Sequence, residues 1–204
     1  VVGELVRAVA RGIGITVRAA YLGLAEPDAS VALRALAADG FTSVRVVPLL
    51  FTPGYHLTHD VPLAVVASGV TGSMDVSVAA PLLASGRRQR ELLLMALADR
   101  LLEAGADDHV DALVLASAGS SSPKARLCVE GLAWDLERAH GIPVEPVFAS
   151  AGSPSPALAL EAMSDRGIPR PAVPSLVVAP CRLTDSVRAA CPDMPCADPL
   201  GGST

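Results

Sequence analysis

The segment Thr52-Pro-Gly-Tyr-His-Leu-Thr-His-Asp-Val-Pro62 gathers two of the chain's four histidines, one of its two tyrosines and an aspartate into one short stretch. Imidazole accepts a proton near neutral pH and also ligates divalent metals, so His56 and His59 offer both kinds of chemistry. Pro53-Gly54 predicts a sharp turn that lets the backbone approach a ligand. Gly54 and Tyr55 are therefore candidate ligand contacts. His56 is expected to point into a cleft, while Asp60, capping the next helix, or His59 orients the loop. The bland alternative makes both histidines solvated loop residues and Asp60 only a helix cap. Two histidines at i, i+3 decide nothing alone.

Other chemistry-bearing residues are more scattered. Glu26 lies in Leu-Ala-Glu-Pro at the end of an apolar run and is a candidate carboxylate ligand beside His56; a charge near a helix N-terminus is the competing reading. Ser117-Ala-Gly-Ser-Ser-Ser122 opens a helical pattern, so Ser120, Ser121 and the backbone N–H groups there are candidates to hold an anion. That loop is neither a Walker loop nor a GxGxxG fingerprint, and no nucleotide is expected. The chain contains no GxSxG, HExxH or CxxC motif, which leaves serine hydrolase, zincin and thioredoxin chemistry without support. His109 and His140 fall near helix ends and read as surface residues.

These residues need elements to position them. Val-rich runs at Ile15–Leu22, Ser43–Phe51, Asp75–Ala80, Ala112–Ser117, Val144–Ala149 and Ala172–Ala179 are bounded by turn residues, as strands covered on both faces would be. Helical patterns lie between them. Asp28–Ala38 is predicted to start at an Asp28 cap and stop at Gly40, and Arg87–Ala104 carries Leu93, Leu94, Leu97, Leu101 and Leu102 on one face. Alternation of this kind predicts an α/β protein of two similar lobes, each an open parallel sheet flanked by helices. Ligands then bind at the carboxyl ends of strands. Those ends are the loops Leu24–Asp28, Thr52–Pro62, Ala118–Pro123, Ser150–Ser155 and Pro180–Asp185.

An internal repeat sharpens the prediction. Residues 1–53 align without a gap on residues 128–180, with Leu5/Leu132, Gly14/Gly141, Pro27/Pro154, Gly40/Gly167 and Pro53/Pro180 among the identities. The lobes are expected at 1–106, with the first strand missing, and 107–204, with the last helix missing. A chain clipped at both ends is expected to expose apolar surface, and so to be marginally stable or to associate through that gap. Continued past Pro53/Pro180, the repeat sets Leu183 opposite His56. One copy alone keeps the imidazole, so one active site is expected.

Composition narrows the classes. At 204 residues and 51% hydrophobic content the chain can bury a core, and no apolar run approaches the ~20 residues that a membrane span needs. No signal peptide opens the sequence, and a cytoplasmic protein is expected. A net charge of −5, with one Trp, two Tyr and three Phe, argues against a nucleic-acid partner. Cys128, Cys181, Cys191 and Cys196 match no zinc-ribbon or redox spacing and read as small buried hydrophobes, with a metal role for the last three as the alternative.

The stretch Val46-Val-Pro-Leu-Leu-Phe-Thr-Pro-Gly-Tyr-His-Leu-Thr-His-Asp-Val-Pro62 resembles the strand, Pro-Gly-x-His and x-Asp-Val-Pro signature of the small sirohydrochlorin chelatases. The likeness extends through Tyr21–Pro27, Ala116–Ser120 and Ala179–Asp185, and so touches both halves. It implies a cleft between lobes where two histidines and a carboxylate bind a divalent metal, and where a bent tetrapyrrole exchanges two pyrrole protons for it. His56 matches one family histidine. The other belongs to a His-Gly-Ser motif whose second-half counterpart is Ala118-Gly119-Ser120. At Gly23 the family often carries an acid, which leaves Glu26 as the nearby carboxylate. The substrate's carboxylates would meet Ser120, Ser121, Arg182 and backbone amides. Cobalt, slightly favoured, or iron is the expected metal substrate, in cobalamin or siroheme synthesis and without ATP. The alternatives are a degenerate metal- or tetrapyrrole-binding relative and an ordinary two-lobed small-molecule binder.

Overall fold

Short β-branched runs separated by helices can pair only in parallel, because each connection returns the chain to the same edge of the sheet. Every ladder in this computed structural model, which describes residues 1–23, 25–106 and 109–201, is indeed parallel. The chain forms two compact units, Val1–Ser85 and Gly86–Thr204. This division places helix Arg87–Glu103 with the second unit, ahead of the boundary expected near residue 106. Asp107 and Asp108, at that expected boundary, lie outside the described residues.

The first unit runs α1 (Val2–Ile13), α2 (Ala29–Ala38), β1 (Ser43–Val46), a π-helical turn (His56–Asp60), α3 (Val61–Ser68), β2 (Asp75–Val78) and a 3₁₀ turn (Leu82–Ala84). β1 and β2 pair from Ser43↔Asp75 to Val46↔Val78. Leu33, Val70 and Met74 form a small core against which Val44, Val46 and Val76 pack. The alternate residues Ser43, Arg45, Asp75 and Ser77 are exposed, so this sheet is covered on one face, against the expectation of two.

A second expectation fails in this unit. Ile15–Leu22 forms no strand; its only ladder contact is the bridge Tyr21↔Asp28. The physical reason is visible in the second unit, where the equivalent strand is held along its length by a central neighbour. No described segment of the first unit occupies that neighbour's place, and Ile15, Thr16, Arg18 and Ala20 are exposed. β1 also stops earlier than expected. Pro48 has no N–H to continue a ladder; sheet-like bonds resume as Leu82 N–H donates to Leu50 O and Leu83 N–H to Phe51 O, both at 2.9 Å.

The second unit comprises α4 (Arg87–Glu103), β3 (Ala112–Gly119), α5 (Pro123–His140), β4 (Val144–Ala151), α6 (Pro156–Asp165), β5 (Pro171–Ala172), β6 (Ser175–Leu176) and α7 (Arg182–Ala190). β3 is central, with β4 on one side and β5 and β6 on the other. The run expected as one strand over Ala172–Ala179 is split at Val173-Pro174, because Pro174 cannot donate to the ladder. Ala112–Ser117 is fully buried, as expected of a strand covered on both faces. Ala112, Val114, Ala116, Val147, Ala159, Met163, Val173 and Val187 share the core above it.

The two units repeat local structure at the aligned positions. Gly14 and Gly141 end α1 and α5 in the left-handed conformation, at φ of 67° and 71°. Tyr21 N–H donates to Pro27 O and, at the matching place, Phe148 N–H donates to Pro154 O, both at 3.0 Å. Asp28 and Ser155 then cap α2 and α6 with their side-chain oxygens. Among the described residues no helix is long and apolar enough to cross a membrane.

Candidate functional site

The His-bearing segment, expected as an irregular loop, is mostly helical. Gly54 O accepts from Leu57 N–H at 3.1 Å and Thr58 N–H at 3.2 Å, which starts a turn at Gly54. Val61 N–H closes on His56 O, making His56–Asp60 one π-helical turn that runs straight into α3. Turns of this kind widen a helix locally and often carry functional side chains. Asp60 therefore has helical dihedrals and makes no cap hydrogen bond, contrary to the capping role expected of it.

Its carboxylate has another partner. Asp60 Oδ2 lies 2.5 Å from His56 Nδ1. An ionised carboxylate can only accept, so the proton of the neutral ring sits on Nδ1 and the lone pair on Nε2. The His56 side chain is 66% exposed and that of Asp60 31%, so Nε2 is open to a ligand while Nδ1 is held from the helix side. His59 is held differently. Its ring stacks on Tyr55 with centroids 4.3 Å apart and planes 7° from parallel, and its Nδ1 lies 2.9 Å from Thr58 Oγ1. The loop thus presents one imidazole oriented by a carboxylate and another pinned by an aromatic ring. The Tyr55 stack carries no mark in the sequence beyond the i, i+4 spacing of two rings.

Glu26 is exposed, and its Oε2 accepts from Asp28 N–H at 3.1 Å, closing the turn before α2. Leu24, at the head of that loop, lies outside the described residues. Among the described residues no three of His, Cys, Asp and Glu come together in a group able to hold a metal ion. His56 and Asp60 are thus brought together, and Glu26 is tied to its own turn.

In the second unit, β3 ends at Gly119 and α5 begins at Pro123. Gly119 has a φ of 87°, and a Cβ there would lie 2.2 Å from Ala151 O, so only glycine fits this crossing. Ser120 N–H donates to Ala151 O at 2.8 Å, and Ser120 Oγ accepts from Ser122 N–H at 3.1 Å. The expected anion cradle therefore has two of its N–H groups already engaged. Arg126 adds a cation that sequence reasoning passed over: its guanidinium donates to Ser120 O at 2.9 Å and Ser121 O at 3.2 Å. Its position one turn into the helix was the available signal. Arg182 is exposed in the first turn of α7. The side chain of Leu183, aligned with His56, lies outside the described residues.

Comparison with known proteins bears on this arrangement. The model of the CbiX family matches residues 1–103, the half of the chain that holds the His56–Asp60 pair. The chain belongs to the CbiX family. This is the sirohydrochlorin chelatase family that the loop signature resembles. Two solved structures share the fold. SirB from Bacillus subtilis, solved with Fe3+, superposes with a TM-score of 0.75 at 23% identity, over 98% of this chain and 81% of that one. The sirohydrochlorin chelatase SirB from Bacillus subtilis subspecies spizizenii, in complex with cobalt, gives 0.69 at 20% identity, over 98% and 80%. A search of curated proteins found no significant match. The α/β architecture of parallel sheets flanked by helices is thus that of the SirB structures, as expected for a CbiX protein.

Proposed function

We propose that this CbiX protein inserts a divalent metal ion, cobalt or iron, into sirohydrochlorin, with His56 as the group that meets metal and pyrrole protons. The observation that carries the reading is the His56–Asp60 pair, inside the segment that the family model matches. Insertion requires two pyrrole N–H groups to give up protons as the macrocycle takes up the ion. His56 Nε2, with its lone pair outward, can bind the incoming ion or accept a proton, and the Asp60 carboxylate stabilises the imidazolium that forms. Glu26 is the proposed carboxylate partner at the metal. Gly54 and Tyr55, with Ser120, Ser121 and Arg182, are proposed to meet the macrocycle and its carboxylates, and His59 to fix Tyr55 beside it. Neighbours solved with Fe3+ and with cobalt support a site that accepts either metal, and cobalt remains the favoured substrate. The reading uses no nucleotide.

One observation favours a second reading, a relative that binds metal or tetrapyrrole without turnover: among the described residues, no three-ligand group surrounds His56. Anaerobic absorption spectroscopy of sirohydrochlorin with cobalt(II) or iron(II) separates the two. The enzyme reading expects metal-dependent conversion above the uncatalysed rate, lost in His56→Ala. Conversion at the background rate, with a spectral shift on binding, would leave the binding protein.

A further inference from the structure

Two thiols that this chemistry leaves unused meet where α7 ends. Cys191 takes the position after the helix, and its carbonyl accepts from Met194 N–H at 3.3 Å, which turns the chain back. The returning segment docks on the sheet: Val173 N–H donates to Pro195 O at 2.8 Å and Ala197 N–H to Val173 O at 2.9 Å. This return sets Cys196 Sγ 3.7 Å from Cys191 O, with both side chains packed in one core cluster. Cys191 is 2% exposed within the core, and the half-buried Cys196 packs on the same cluster. Arg188, one turn before Cys191, is ion-paired with Asp198, two residues past Cys196.

We propose that Cys191 and Cys196 form a reversible dithiol–disulfide site, oxidised by hydroperoxides, in which Cys196 is the sulfur that reacts first. The surroundings make the two thiols unequal. A hydrogen bond from the Cys191 thiol, opposed by burial and aided by the Arg188 guanidinium, holds Cys196 down at about 7. The same hydrogen bond and burial push Cys191 far up, so it keeps its proton. At neutral pH the Cys196 thiolate attacks the peroxide oxygen, the O–O bond breaks, and a sulfenic acid and an alkoxide or hydroxide result. The Cys191 sulfur then displaces hydroxide from Cys196, its proton leaves in water, and the S–S bond forms. Two electrons pass from the sulfurs to the peroxide, and a dithiol reductant returns them. The product would tie the end of α7 to the segment docked on Val173.

Sequence makes the test direct, because no Lys or Arg lies between Arg188 and Cys196, so trypsin leaves both cysteines in one peptide that begins at Ala189. The full chain is treated with equimolar hydrogen peroxide at neutral pH, alkylated with iodoacetamide, digested and weighed. The expected peptide is lighter by two hydrogens and carries no alkyl group, and dithiothreitol restores both alkylation sites. Met194 sulfoxide, heavier by one oxygen, is told apart by mass. Cys196→Ser should abolish the linked form, and Cys191→Ser should leave a sulfenic acid that dimedone traps. Should the buried Cys191 variant unfold, wild-type alkylation against pH provides the second reading, with Cys196 labelling half-maximal near pH 7. The proposal is overturned if both cysteines stay alkylatable at peroxide doses that oxidise the exposed Cys181. Oxidation of Cys196 to a sulfinic acid without any linked peptide would overturn it as well.

Discussion

Replacing Asp60 tests whether the carboxylate acts on His56 or only on the helix. The two side chains are an exposed i, i+4 pair within one turn, and such pairs contribute only about 0.3–0.5 kcal/mol to stability. The melting temperature should therefore barely move. The functional cost is of another size, because removing the carboxylate behind a metal-facing histidine commonly lowers affinity or activity about 10–100-fold, or about 1.4–2.7 kcal/mol. With the ring 66% exposed, water can replace part of the interaction, which puts the expected loss near the lower end, about 10-fold. The two replacements should differ. In Asp60→Ala, water can still accept the Nδ1 proton. In Asp60→Asn, the amide can instead donate to Nδ1, which moves the ring proton to Nε2 and blocks the lone pair. The asparagine variant should therefore lose at least as much as the alanine variant. The assay is the anaerobic conversion of sirohydrochlorin, with kcat and KM separated and the uncatalysed rate subtracted. The expected loss falls on kcat, with KM for the tetrapyrrole little changed. Wild-type kcat in Asp60→Asn, alongside an inactive His56→Ala, would refute the argument that Asp60 sets the tautomer.

Three further perturbations follow from the geometry. Gly119→Ala puts a Cβ 2.2 Å from Ala151 O at a φ of 87°, and should cost at least about 2 kcal/mol, seen as a lower urea midpoint; an unchanged midpoint would mean that β3 and β4 cross less tightly than described. Asp28→Ala removes the cap of α2, whose carboxyl is held below its ordinary value of 3.8 by hydrogen bonds from Ser30. Because that folded-state pKa is depressed, the wild-type advantage is present above the ordinary value and is lost as pH falls through the folded one. Thermal melts should separate wild type from variant at pH 7 and bring them together in strong acid; an equal gap at both would contradict the cap. Tyr55→Phe keeps the stack on His59 and should leave turnover close to wild type, whereas Tyr55→Ala releases His59, weakens a contact worth about 0.5–1.5 kcal/mol and should raise KM for the tetrapyrrole. Equal KM values for the two variants would remove Tyr55 from the site.

Much of the architecture was legible because it rests on local rules. Asp28 and Gly40 bracket α2, and leucines at helical spacing mark α4, since caps and periodicity need no distant partner. The continuous apolar run Ala112–Ser117 announced a strand covered on both faces, and it is the center of its sheet. The same rule failed at Ile15–Leu22. Its residues have the composition of a strand, but a ladder needs a neighbour, and apolar content does not report whether one is there. The limits of β1 and the break at Pro174 were written in the prolines, which remove donors from the ladder.

The site divides along the same line. Residue types and order alone determined that this segment could do imidazole chemistry, that it carries the family signature, and that the chain alternates strand and helix. Tertiary structure decided which histidine is oriented and by what. Asp60 reads from the sequence as a cap that orients the loop, because a carboxylate just ahead of a helical pattern fits that role and nothing local marks it as the partner of His56. In the folded chain the helical turn His56–Asp60 sets Oδ2 2.5 Å from Nδ1 of His56, and because it runs straight into α3 the carboxylate makes no cap bond. The Cys191–Cys196 contact was equally hidden. Their spacing matches no redox motif, and the thiols meet because the chain after α7 turns back to hydrogen-bond with Val173, a pairing between segments that local sequence rules do not encode.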